Sequence, residues 1–347
     1  MFGRAKSLSL YLIRDLQRRR QSIRLFGTKS SRHYVLREKR DDDGDDSKKK
    51  RRNKVKNDGE LQAEEEGHSS IYLHKSRGQH ILTNPRVLDA IVRKADIRPT
   101  DTILEIGPGT GNLTLRLLEA AKKVYAVEID KRMIEILNNR VSERGLQDKI
   151  TVICKDALKT DFPEFDLIVA NIPYGISSPL IAKLVFGANT FRSATLLLQK
   201  EFAKRLLAKP GDSEFNRLAV NVKLVADVEF MMDVSKRDFV PCPRVDSSVV
   251  KIHPKAQVPE VDMNEWWAFT RTCFSKKNKT LGATFKQKKK IVEVLKAGGF
   301  EDKRPSKLSN EELLCLLSLF NQSGIHFHDQ REGKGEPNVA LDASYDI

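Results

Sequence analysis

From about Asn84 onward the apolar positions fall into two alternating rhythms. Short continuous apolar runs read as buried strands, and apolar residues at three- and four-residue spacing read as helices. Val87, Leu88, Ile91 and Val92 describe a helical stripe behind Asn84-Pro85, with the proline at the first helical position. Strands are expected at Thr102–Ile106, Val124–Val127 (ending at Glu128), Ile150–Cys154, Phe165–Ala170 and Ala194–Leu198. Helical patterns lie between them at Leu113–Ala121, Lys131–Val141 and Pro179–Val185, the last with Ser177 or Ser178 as its cap. Glu201–Ala208 and a stripe of Phe215, Leu218, Ala219, Val222 and Val225 continue the helices. Val228–Val234 and Val245–Ile252 follow each other without a helix and so predict an antiparallel edge. Strands that alternate with helices imply an α/β class: a parallel, doubly wound sheet covered on both faces. From about Met263 the pattern becomes purely helical and rich in aromatics. It runs through Trp266, Trp267, Phe269 and Phe274, then Thr280–Gln287 and Ile291–Ala297, to a capping box of Ser309 and Glu312 before Leu313–Phe320.

Composition adds two segments that lie outside this pattern. Residues 1–40 carry a net charge of +10 and place Leu8, Tyr11, Leu12 and Leu16 on one helical face, the make-up of a mitochondrial or plastid transit peptide. Residues 41–70 alternate blocks of charge, as in Asp41-Asp42-Asp43 and Lys48 to Arg52, and read as a disordered linker. The basic run is also a candidate nuclear signal, so two addresses compete. The net charge of the whole chain is +15, which points to a polyanionic partner. The four cysteines are scattered, with no Cys-x-x-Cys pair, and suggest neither a zinc site nor a disulfide framework. No apolar run approaches the roughly 18 residues that span a bilayer. The resulting division is 1–40 leader, 41–70 linker, 71–255 α/β domain, 256–325 helical domain with a basic seam at Lys276, Lys277 and Lys279, and 326–347 disordered tail.

Three strand ends carry candidate chemistry. The loop Glu105-x-Gly107-x-Gly109-x-Gly111 follows the first sheet strand, where open α/β sheets bind ligands. Glu128 ends the next strand, where an acid can accept from two ribose hydroxyls. Asp156 ends the one after, where an acid can accept from an adenine amine. This set suits S-adenosylmethionine; a dinucleotide site would more often show Gly-x-Gly-x-x-Gly. The fourth strand ends in Asn171-Ile172-Pro173-Tyr174. An Asn side-chain oxygen and a backbone carbonyl around Ile172–Pro173 can accept both hydrogens of a planar amine while Tyr174 stacks on its ring. The proline-rich stretch Phe239–Ser248 forms a rigid loop whose Phe239 is expected to face Tyr174 as a second aromatic wall.

Taken together, GQHIL (78–82), LEIGPGTGNLT (104–114), Glu128, Asp156, NIPY (171–174) and FVPCPRVDSSVV (239–250) resemble the rRNA adenine dimethyltransferases, with the erythromycin-resistance methylases as relatives. The resemblance runs from about Ser76 to Phe320. It implies a Rossmann-like S-adenosylmethionine-dependent methyltransferase domain with a small all-helical C-terminal domain. It further implies dimethylation of two adjacent adenosines in the 3′-terminal hairpin loop of small-subunit rRNA, by a monomer acting on an assembling small subunit, with no metal and no membrane. Donor contacts are implied at His80, Leu82, Gly107, Glu128, Asp156 and Asn171, and target-base contacts at Asn171, Tyr174 and Phe239. FSKKNKTLGATFK (274–286) resembles the nucleolar branch, whereas the leader favours the mitochondrion; plastid and nucleolus stay open in that order. Two other classes stand beside the enzyme. One is a non-catalytic RNA-binding or mitochondrial transcription-factor-like role on the same fold, against which the intact Asn171–Tyr174 and Glu128 argue. The other is a nicotinamide-dependent oxidoreductase, disfavoured by the glycine spacing.

Overall fold

Five short parallel strands set the frame, and each exists for the reason its apolar run suggested. The computed structural model describes residues 80–328 and the backbone of one further strand pair, Val35–Leu36 with Ile71–Tyr72. Apart from that pair, the expected leader and linker lie outside the described residues, as do Gly78-Gln79 and residues 329–347. The described chain begins with β1 (Ile81–Leu82) and α1 (Pro85–Ala95), whose Asn84 cap accepts from the Arg86 N–H. There follow β2 (Thr102–Ile106), α2 (Asn112–Ala120), β3 (Lys123–Glu128), α3 (Lys131–Glu143), β4 (Ile150–Cys154) and β5 (Leu167–Asn171). After a 3₁₀ turn at Tyr174–Ile176 come α4 (Ser177–Phe186), β6 (Ser193–Gln199), α5 (Lys200–Leu207), α6 (Arg217–Val225) and β7 (Ala226–Val234). β8 (Phe239–Val240) and β9 (Ser247–Pro254) complete the strands.

The main sheet has the order β4-β3-β2-β5-β6-β9-β7. β2 pairs parallel with both β3 and β5, and β9 inserts antiparallel between β6 and β7. The antiparallel edge expected from the sequence is therefore present, and β9 is its inner strand. Alternation along β2 shows both faces to be buried: Leu104 and Ile106 join one apolar cluster with Leu180, Ile181 and Phe202, while Ile103 joins another with Leu88, Leu113 and Leu117. Helices thus cover both faces, as parallel strands require. This is a Rossmann-like α/β fold.

The helical part comprises α7 (Met263–Phe274), α8 (Leu281–Thr284), α9 (Lys289–Ala297) and α10 (Asn310–Gln322). Its core is rich in aromatics, with Trp266, Phe269, Phe285 and Phe320 among leucines, and it also takes in Phe215, Ala219, Val220 and Leu224 from the stretch around α6. The Ser309–Glu312 capping box forms as expected. Three local expectations are corrected. The cap of α4 is not a serine: Ile176 occupies the cap position without a side-chain bond, because the preceding 3₁₀ turn, closed by the Ile176 N–H on the Pro173 carbonyl, runs directly into the helix. The helix expected over Thr280–Gln287 shrinks to α8, whose Leu281 and Gly282 N–H groups donate instead to the Lys303 and Glu301 carbonyls. Phe327, placed in the tail by the sequence reading, is buried with its ring 5.2 Å from Phe269 and 5.3 Å from Phe320, while residues 329–347 lie outside the described residues. Among the described residues, no helix is long and apolar enough to cross a membrane.

Candidate active site

The carboxyl ends of β4, β3, β2 and β5 lie side by side, so Asp156, Glu128, the glycine loop and Asn171 converge on one edge of the sheet. Between β2 and α2 the chain turns through Gly107, Gly109 and Gly111, all with positive φ (69°, 58° and 87°). Two of these glycines are also crowded. A Cβ at Gly111 would stand 2.6 Å from Leu137 Cδ1, and one at Gly107 would press on the Pro173 ring at 3.3 Å. The missing side chain at Gly107 lets the glycine loop lie close against the Pro173 ring of the Asn171–Tyr174 turn. Arg140 of α3 braces the loop from below by donating to the Thr110 carbonyl and to Asn112 Oδ1, and Asn112 Nδ2 donates to the Leu82 carbonyl.

Beneath the loop lie two carboxyl groups. Glu128 Oε1 accepts from the Ile129 and Asp130 N–H groups at 2.8 and 2.9 Å, and Oε2 from Gly109 N–H at 3.2 Å. Burial raises its pKa, and the three N–H donors oppose that rise. Oε1 already accepts two N–H groups, so the acceptor capacity left for a hydroxyl lies on Oε2. Glu105 is fully buried, its Oε2 has no hydrogen-bond partner, and burial pushes its pKa up to about 8, with the nearby Glu128 adding to the rise. At neutral pH Glu105 is therefore mainly the neutral acid. Ile129, between Glu128 and Asp130, is 62% exposed, an apolar wall beside the acid. Asp156 Oδ1 accepts from the Leu158 N–H, and the Asp156 carbonyl accepts from Thr160 Oγ1, which folds this strand end into a tight loop. A glycine cradle, an acid anchored by N–H groups, an exposed apolar side chain and a second acid at the next strand end fit the shape and polarity of S-adenosylmethionine.

The Asn171–Tyr174 turn closes the other side. Asn171 Nδ2 donates to the His80 carbonyl at 3.2 Å. A carbonyl can only accept, so this bond fixes the amide orientation and leaves Oδ1 as an acceptor. The Pro173 carbonyl already accepts the Ile176 N–H at 3.0 Å, which makes the Ile172 carbonyl the less engaged backbone acceptor of the turn. Tyr174 is held through its hydroxyl to Ser247 Oγ at 2.8 Å, and burial raises its pKa. His80 Nδ1 donates to the Pro241 carbonyl at 2.8 Å, so Nδ1 carries the proton and Nε2 is the acceptor. Its ring lies 5.7 Å from that of Tyr174.

The sequence-predicted residues therefore meet at one place, with two exceptions in role. Phe239 is 2% exposed and pairs with Leu82 in the β1–β8 ladder. Its ring belongs to the apolar cluster of Leu82, Val234 and Val249. Among the described residues the aromatic partner of Tyr174 is His80, so the expected slot of Tyr174 with Phe239 does not form and the ring beside Tyr174 is the His80 imidazole. The Leu82 side chain is likewise core, and its contribution to the site is a backbone carbonyl. Sequence reasoning missed Ile129, Arg140 and Ser247. An apolar residue directly after a strand-ending acid is a usable signal for the first; nothing in the local pattern signals the other two. Among the described residues no group of His, Cys, Asp and Glu side chains could hold a metal ion.

Comparisons with known proteins agree with this geometry. The family model described as ribosomal RNA adenine dimethylase matches residues 71–321. A curated relative from Arabidopsis thaliana, named ribosomal RNA small subunit methyltransferase, mitochondrial, is 60% identical over 77% of this chain and 83% of its own length. Among solved structures, a dimethyladenosine transferase from Plasmodium falciparum is 42% identical with a TM-score of 0.67, covering 71% of this chain and 99% of that one. The 23S rRNA methyltransferase ErmE is 28% identical with a TM-score of 0.55, covering 70% of this chain and 99% of its own. A donor cradle joined directly to an amine-accepting turn, on a fold matched across most of the described residues, leads to one conclusion: the chain belongs to the ribosomal RNA adenine dimethylases, S-adenosylmethionine-dependent methyltransferases.

Proposed function

We propose that this enzyme dimethylates the exocyclic amines of two adjacent adenosines in the 3′-terminal hairpin loop of small-subunit rRNA, in the mitochondrion, acting as a monomer on an assembling small subunit. The carrying observation is the fixed amide of Asn171 beside the glycine loop. S-adenosylmethionine supplies an electrophilic methyl group, and the chain's own residues bring the amine to it. An adenine amine is a weak nucleophile because its lone pair is delocalised into the ring. In the first transfer Asn171 Oδ1 and the Ile172 carbonyl accept its two hydrogens, which localises the lone pair and aims it. In the second they share the one hydrogen of the monomethyl amine, and each transfer ends with that nitrogen releasing a proton to solvent. Tyr174, tethered by Ser247, stacks on the base. Positioning and electrostatics then supply the rate. His80, Gly107, Glu128 and Asp156 hold the donor, and Asn171 faces both donor and base. Phe239 serves this role from the core, by supporting the β1 segment that carries the His80 and Leu82 carbonyls.

The compartment is supported by the basic leader and by the mitochondrial name of the 60% identical relative. The small-subunit target is supported by that name over the 23S name of the 28% identical structure. The test is to map N6,N6-dimethyladenosine in mitochondrial and cytosolic small-subunit rRNA with and without the protein. Loss of the paired modification from the mitochondrial RNA alone is expected. Loss only from cytosolic RNA would move the enzyme to the nucleolus, and unchanged RNA in both would favour the non-catalytic role.

A further inference from the structure

A half-buried lysine next to the Asp156 loop is used by none of the chemistry above. Lys183 lies on α4, the helix that leaves the Asn171–Ile176 turn. It donates to the Ala157 carbonyl at 2.8 Å and to the Thr160 carbonyl, and its ammonium sits over the Phe162 ring, 4.2 Å from the centroid. Three elements of one loop, residues 157, 160 and 162, are thereby drawn onto a single charge. That loop begins at Asp156, whose own carboxylate accepts from the Leu158 N–H inside it. A flexible side chain fixed at three points restrains the loop it holds.

We propose that Lys183 is a positioning residue for donor binding: by clamping the loop over residues 157–162 it presents the Asp156 carboxylate to the adenine of S-adenosylmethionine, and it ties that subsite to the helix that starts at the target-base turn. This rests on the reading of Asp156 as the adenine anchor. The clamp is sensitive to pH. Burial lowers the Lys183 pKa to about 8, against the opposing pull of Asp161 and Asp156, the charged groups that face it. The ammonium is therefore present below about pH 8 and lost above it. With the charge gone, its bonds to the two carbonyls weaken from charge-assisted to ordinary ones. Donor affinity conferred by the clamp should be complete at pH 7 and fall as pH rises through 8.

The experiment is calorimetric titration of the full chain with S-adenosylmethionine, without RNA, at pH 7 and pH 9. Wild type is compared with Lys183→Met, Lys183→Arg and Asp156→Ala, and each Kd is read as a ratio to wild type so that titration of the donor itself cancels. Lys183→Met should bind about tenfold more weakly at pH 7, the scale of a lost hydrogen bond to a charged group. Its ratio to wild type should shrink at pH 9. Lys183→Arg, which keeps its charge, should gain on wild type between pH 7 and pH 9. In RNA methylation the Met variant should raise the donor KM and leave kcat within about twofold, a split that general loss of structure would not produce. Wild-type Kd for Lys183→Met at pH 7, or a ratio independent of pH in both variants, overturns the proposal. If Lys183→Met does not fold, the Arg ratio decides alone, a constant value overturning it. Asp156→Ala separates the two layers: wild-type affinity there would remove the adenine-anchor reading, whereas weakened affinity with unaffected lysine variants would remove the clamp only.

Discussion

The sheet half and the helical half bury different kinds of side chain, and the difference explains why the chemistry sits where it does. In the sheet half the core is aliphatic, but its carboxyl edge buries polar groups: Glu105, Glu128, Ser177, Ser247 and Ser248 are all nearly inaccessible. Strand ends make this possible. A strand that stops leaves backbone N–H and C=O groups unpaired by the ladder, and these can hold a carboxylate or an amide in one orientation. Glu128 is held this way by three N–H groups, and Asn171 by one carbonyl. The helical half has no such edge. Trp266, Phe269, Phe285, Phe320 and Phe327 pack against one another in tilted and edge-to-face contacts, and helices satisfy nearly all of their own backbone groups. That half presents exposed lysines such as Lys276 and Lys279, whereas the sheet half is where a small molecule can be gripped.

The comparison can be broken from either side. The largest effect on folding should come from the aromatic core. Phe269→Ala removes a fully buried ring that touches Trp266, Phe320 and Phe327 and should cost about 3–5 kcal/mol in denaturant unfolding. A loss under about 1 kcal/mol would mean that the helical half is not a close-packed core. Next, Glu128→Ala should weaken donor binding by about 10- to 100-fold, from the loss of hydrogen bonds to a charged group worth roughly 1.5–3 kcal/mol, while leaving RNA affinity unaltered. An unchanged donor Kd would remove the ribose role. Ser247→Ala unties Tyr174 and should lower kcat/KM for RNA several-fold, about 0.5–1.5 kcal/mol, with donor Kd unaffected. Equal losses in donor and RNA terms would place Tyr174 on the wrong side of the site. The smallest effect concerns the basic seam. Lys276→Gln with Lys279→Gln should flatten the salt dependence of RNA binding by up to about 1.4 in log–log slope. Lys277→Met should instead lower stability, because Lys277 donates to the Ser213 and Phe215 carbonyls and is already used inside the molecule. A flattened slope from Lys277→Met alone would reverse that assignment.

Lys277 also shows what a sequence does and does not disclose. Apolar runs revealed β2, β3, β5 and β6 because parallel strands largely buried on both faces leave such runs. β4, an edge strand with Thr151 and Cys154 exposed, showed through Ile150, Val152 and Ile153, and the acids Glu128 and Asp156 stood at the end of β3 and just past β4. The capping box of α10 was equally legible, since both of its bonds are local. What failed was non-local. Whether a lysine in a basic run meets solvent or a carbonyl more than sixty residues away is not written in the run. Phe239 was read as a wall of the site because its neighbours are prolines, but its two-residue pairing with Leu82 turns the ring into the core. His80 took its place beside Tyr174, and that contact depends on the Pro241 carbonyl holding the imidazole, a partner 161 residues distant. Ser247 and Arg140 were invisible for the same reason.

The central claim is that Asn171 activates the adenine amine and does not merely hold the donor. It is tested most directly by Asn171→Ala in single-turnover methylation of the 3′-terminal hairpin of small-subunit rRNA, with donor and RNA affinities measured on the same protein. The account predicts at least a roughly 100-fold loss of the transfer rate, the scale of removing one preorganised hydrogen-bonding group from a transition state, with RNA affinity near wild type and donor Kd changed by no more than about tenfold. A variant that methylates at the wild-type rate, or that loses rate only because it no longer binds donor, would contradict it.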